Sequence, residues 1–90
     1  MKQTTQDNIN LLVGQRIAEL RKKKGLTLEK LAYENDLSKS TLSRIECGKV
    51  DARISNLERI AAGLDISLKE LFDHNSFIES SERLRTIVWG

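Results

Sequence analysis

The 90-residue chain contains no proline, one cysteine, one histidine and no long apolar run, and each scarcity removes a class of function. Cys47 alone cannot close an internal disulfide, form a CxxC redox pair or supply a metal-binding cysteine cluster. It reads as an incidental residue at a helix end. His74 is the single histidine, lacks a catalytic or metal-ligand partner pattern of Cys, Asp or Ser, and reads as a surface residue. No segment approaches the roughly 18–20 apolar residues that span a bilayer, and residues 1–7 lack the apolar stretch of a signal peptide. A cytoplasmic location with no membrane contact is therefore expected. No proline-rich or Gly/Ser-rich linker and no internal repeat divides the chain, which reads as one domain. Nor is there a nucleophile-base arrangement, a metal cluster or a phosphate-binding loop, so no enzyme, cofactor, metal or small-molecule ligand is expected.

What is present suits a small core and a patterned surface. Hydrophobic residues make up 39% of the chain, enough for one modest core. The net charge of +2 is too small to argue for a polyanionic partner, but its distribution is uneven. Between Arg16 and Arg53, ten Lys and Arg stand against six Asp and Glu, leaving that segment basic by four and the ends acidic.

Apolar periodicity predicts an all-α chain. Ile9, Val13, Ile17 and Leu20 share one face of a first helix from about Asn8 to Lys24. Gly25 suits its left-handed cap, and the basic run Arg21 to Lys24 lies in the last turn, where cations complement the helix dipole. Thr27 caps a short second helix ending near Asn35, with Leu28, Leu31 and Ala32 inward. Asn35 and Asp36 tolerate the left-handed backbone of a tight corner, and Ser38 caps a third helix that buries Leu42 and Ile45 before Gly48 closes it. A fourth helix from about Ile54 to Leu64 turns Leu57, Ile60, Ala61 and Leu64 inward. Ser67-Leu68-Lys69-Glu70 has the form of a capping box opening a fifth, with Leu68, Leu71 and Phe72 toward the core. Residues 75–90 admit two readings. Ser76 and Glu79 could open another helix, whereas Thr86-Ile87-Val88-Trp89 favours a strand that would need a partner.

Two short helices joined by a corner, the second displaying polar donors outward, form the arrangement that fits a helix into the DNA major groove. The segment Gly14-Gln15-Arg16-Ile17, Leu20-Arg21, Gly25 to Ala32, Leu37 to Lys49, Leu57 to Ala61 and Leu71-Phe72 resembles the phage repressor and Cro type of helix-turn-helix domain, the XRE family of bacterial regulators. The resemblance covers about two thirds of the chain.

It implies a lambda-repressor-like five-helix domain over residues 1–74, with the helix-turn-helix at about 28–47 and a tail at 75–90. It also implies that the third helix reads base edges through Lys39, Ser40 and Thr41, with Ser43 and Arg44 one turn on. Ammonium and guanidinium groups suit the O6 and N7 acceptors of guanine, which independently favours Lys39 and Arg44. Phosphate contacts fall to the helix starts at Thr27 and Ser38 and to Lys49 and Arg53 in the following loop. Arg21 and Glu46 correspond to a structural ion pair of the family. Three departures stand out. Leu28 replaces a glutamine that makes a phosphate contact and a bridge to the recognition helix, Asp36 stands where glycine commonly turns, and Ala52 replaces a proline.

One recognition helix makes few contacts, so a homodimer on a palindromic operator in double-stranded DNA is expected. Phe77, Leu84, Ile87 and Trp89 are candidate dimerisation residues, the reading favoured over one in which Phe77 and Trp89 finish the core of a single chain. The functional reading is a sequence-specific transcriptional regulator, with a restriction-modification controller or phage-type repressor as specialised forms. The alternative is an antitoxin whose tail wraps a partner protein.

Overall fold

A computed structural model describes residues 5–74, with side chains from Ile9 onward. Five helices follow in order: α1 (Thr5–Lys23), α2 (Leu28–Tyr33), α3 (Lys39–Glu46), α4 (Ile54–Gly63) and α5 (Leu68–Phe72). No strand occurs among the described residues. The candidate dimerisation residues Phe77, Leu84, Ile87 and Trp89, and the choice between helix and strand for the tail, lie outside them.

Each helix after the first starts where a side chain or an extended residue leaves the chain ready to coil. Thr27 Oγ1 accepts from the Lys30 amide at 3.0 Å, and Ser38 Oγ from the Thr41 amide at 3.0 Å. Ser67 and Glu70 form the reciprocal box, with bonds of 3.1 Å in each direction. Arg53 opens α4 with no side-chain capping bond.

The first four helices end alike. A residue in the left-handed region stops the coil at Gly25, Asp36, Gly48 and Asp65. The next residue then donates its N–H to a carbonyl five positions back: Leu26 to Arg21, Leu37 to Ala32, Lys49 to Arg44 and Ile66 to Ala61, at 2.9–3.1 Å. α1 begins three residues before the expected Asn8, because polar residues there carry no apolar period to mark it. α2 ends at Tyr33, two residues short of the expected Asn35.

The inward faces meet in one cluster. Ile17, Leu31, Leu42, Ile45, Ile60, Leu64 and Leu71 are fully buried, joined by Ala32 and Leu57. Each large apolar side chain so buried stabilises by roughly 1.5–3 kcal/mol relative to exposure. Two residues expected on this face depart from it. Ile9 is 38% exposed. α1 is roughly 28 Å long against roughly 12 Å for α3, so its start overhangs the core. Phe72 is 36% exposed, because Leu68 and Leu71 occupy the inward line of α5 and Phe72 lies about 100° round from Leu71. α3 packs against both α1 and α2, so two elements set its orientation.

Candidate nucleic-acid interface

α3 divides cleanly by face. Leu42 and Ile45, three apart, sink into the core and leave the other side of a roughly 12 Å rod toward solvent. Lys39, Ser40 and Arg44 are exposed there and Ser43 is half-buried. A rod of that size matches a major groove about 12 Å wide. Thr41 is half-buried, and its Oγ1 accepts from Ser38 Oγ at 2.8 Å. The hydroxyls of Thr27 and Ser38 serve first as caps, which points the chain into α2 and α3.

Four residues of α1 fix the end of α3 and the elements around it. Arg21 clamps Glu46 in a two-pronged pair, Nε to Oε2 at 2.8 Å and Nη2 to Oε1 at 3.0 Å. Its Nη1 donates to the Leu26 carbonyl at 2.8 Å. The hydrogen bond to Glu46 raises the Arg21 pKa above its ordinary value and outweighs burial. Gly14 is buried where α1 crosses the end of α3, and a side chain there would collide with the carbonyl oxygens of Ile45 and Glu46. Arg16 donates through Nε to the Leu71 carbonyl and through Nη2 to the Glu70 carbonyl, both at 3.0 Å, so it caps α5 from α1. Asn10 Nδ2 meets Asp51 Oδ1 at 2.7 Å, tying α1 to the loop beyond α3.

Charge on the open face is only partly compensated. Lys39 Nζ lies 3.3 Å from Glu29 Oε2, and Lys30 lies 3.8 Å from Glu34. Arg44, Lys49 and Arg53 are exposed and make no ion pair among the described residues. Lys49 is informative. After α1, α2 and α4 the residue following the left-handed position is apolar and half-buried: Leu26, Leu37 and Ile66. After α3 the same position is an exposed lysine. The end of α3 thus carries a cation where α1, α2 and α4 place an apolar packing residue.

Leu28 is half-buried against the core, as an apolar replacement of a polar contact residue would be. The bridge from α2 to the recognition helix, expected to be missing with it, is present one residue on through Glu29 and Lys39. Asp36 makes the corner at φ 59°, and Asn35 caps α2 by donating to the Leu31 carbonyl at 2.7 Å. His74, read as a surface residue, is half-buried with Nε2 at 3.9 Å from Glu19 Oε1. Sequence reasoning placed Glu29 in the first turn of the second helix and Gly14 and Arg16 in the family pattern, but foresaw none of the contacts that Arg16, Asn10, Gly14 and Glu29 make. A glycine inside a helical apolar pattern was the one local signal available, since such a residue often marks a close approach. Cys47 is exposed at the end of α3. No group of residues able to hold a metal ion occurs among the described residues, and no described helix is long and apolar enough to cross a membrane.

Comparison with known proteins agrees with this arrangement. The helix-turn-helix domain family matches residues 14–76. The control protein C.MunI of Mycoplasma sp is 42% identical over 67 residues, covering 73% of this chain and 90% of the relative. The HTH-type transcriptional regulator SinR of Bacillus subtilis (strain 168) is 38% identical over 74 residues, covering 81% and 67%. The crystal structure of the restriction-modification controller protein C.AhdI from Aeromonas hydrophila superposes with a TM-score of 0.70 at 37% identity, covering 72% of this chain and 98% of that one.

Proposed function

The chain belongs to the helix-turn-helix family of phage repressor and Cro-type (XRE) DNA-binding transcriptional regulators, and from that premise we propose that it is a restriction-modification controller acting as a homodimer on a palindromic operator. The match takes in nearly the whole of both control proteins but two thirds of SinR, which favours the controller form. The toxin-neutralising alternative rests on residues 75–90 alone. The relatives' names favour regulation over it, and an assigned catalytic activity is not needed for this role.

One observation carries the reading at the site: α3 is clamped by Arg21 and Gly14 while Lys39, Ser40, Ser43 and Arg44 stand clear of the core. On this reading Arg44 and Lys39 donate to guanine O6 and N7, each contact discriminating by roughly 1–3 kcal/mol. Ser40 and Ser43 add weaker contacts, and Thr41 supports the helix start more than it reads. Lys49 and Arg53 bind phosphates, joined by the amides that Thr27 and Ser38 position. Two-fold pairing would set two recognition helices about 34 Å apart, one turn of DNA. Such a regulator works in the cytoplasm.

Selection of bound fragments from random duplex DNA at a stated salt concentration tests this. The expected result is an enriched palindrome with half-site centres about 10–10.5 base pairs apart. Recovery of fragments without any shared sequence would refute it.

A further inference from the structure

The outward face of α3 carries two cations of unequal standing. Arg44 makes no ion pair among the described residues, whereas Lys39, at the first position of α3, lies 3.3 Å from the carboxylate of Glu29 on α2. Both members of this pair are exposed, at 60% and 69%. An exposed pair of this kind contributes little to stability, so its significance lies elsewhere. An ammonium on a four-carbon stem is a flexible point charge, drawn to whichever anion is nearest. Beside DNA that anion is a phosphate, which carries no sequence information.

We infer that Glu29 is a specificity-determining positioning residue: it holds the Lys39 ammonium over the groove and keeps it from becoming a phosphate contact. The inference rests on the reading of Lys39 as a base contact. Lysine has three N–H donors, so one can stay on Glu29 while the others meet guanine O6 and N7. Leu28 and Glu29 together make this variant self-consistent. The apolar residue packs inward, and its neighbour restores a link between α2 and α3 in charged form. Because the link joins the two helices across the corner, it places Lys39 relative to α2 as well as to α3.

The test measures the wild type, Glu29→Gln, Lys39→Ala and the double variant, all in the full chain. Each is bound to the selected operator, to operators substituted at the Lys39-dependent base pair, and to random duplex across a salt series. Glu29→Gln is expected to lower base-pair preference by about two- to fivefold. It is also expected to tighten binding to random duplex and to steepen the log–log salt slope by about 0.9, the mark of one added phosphate contact. Both effects are expected to vanish in the Lys39→Ala background. Equal changes in both backgrounds would make Glu29 a general charge and overturn the inference, as would no change at all. If Lys39→Ala weakens every sequence uniformly, the reading of Lys39 itself has failed, and the role of Glu29 falls with it.

Discussion

Arg21 shows how one side chain can hold the end of a helix in place. Its guanidinium satisfies both Glu46 oxygens and the Leu26 carbonyl, and the Glu46 side chain is only 8% exposed. Arg21→Ala would leave that carboxylate nearly buried and unpaired, at a cost of about 3 kcal/mol and a fall in Tm of more than roughly 10 °C. Thermal unfolding followed by circular dichroism checks this. A basic group whose folded pKa is raised stabilises fully at every pH below its unfolded value, so Arg21 brings no pH dependence near neutrality. Lys49 has the opposite character, exposed and unpaired among the described residues. Lys49→Ala is expected to weaken binding to all sequences alike and to reduce the salt slope by about 0.9, measured by titration at several salt concentrations.

At the scale of elements, the fit between α1 and α3 depends on what is absent at residue 14. Gly14→Ala gains helix propensity of up to about 1 kcal/mol but drives a methyl into the backbone of Ile45 and Glu46. Overpacking of this kind typically costs about 1–3 kcal/mol, so a net loss in Tm is expected together with weaker operator binding, because α3 must shift. The corner between α2 and α3 offers the reverse change. Asp36 holds a left-handed backbone that costs a non-glycine residue up to about 1–2 kcal/mol, and on the proposed reading it adds an acid near the DNA backbone. Asp36→Gly is expected to raise Tm by a few degrees and to tighten binding to all sequences, read by the same two assays.

The elements that sequence reasoning located are those whose causes lie within a few residues. Caps at Thr27, Ser38 and Ser67, stops at Gly25, Asp36 and Gly48, and the inward line of Leu42 and Ile45 follow from positions three to five apart. The contacts it missed join distant positions: Arg16 to Glu70 and Leu71, Asn10 to Asp51, Gly14 to the end of α3. No local pattern encodes them, because they exist only once the helices have packed. Arg21 with Glu46 was legible only through resemblance, for the same reason. Ile9 and Phe72 departed from expectation because periodicity reports which face is apolar, not whether a neighbour is long enough to cover it.

Across the whole molecule, the proposed reading gives a small domain one recognition helix with few base contacts, for which two-fold pairing is the physical route to a usable site. Sedimentation of the full chain at micromolar concentration is expected to give a dimer, and scrambling one operator half-site is expected to cost far more affinity than a single base change. A monomer that binds one half-site as tightly as two would contradict this. On the proposed reading, the outward face of α3 reads sequence. Its most direct test is fragment selection from random duplex DNA with the wild type and Arg44→Ala side by side. The expected result is one palindrome in both selections, with preference relaxed at a single symmetric base pair in the variant. An Arg44→Ala protein that selects the same sequence with the same preference at every position would contradict the account.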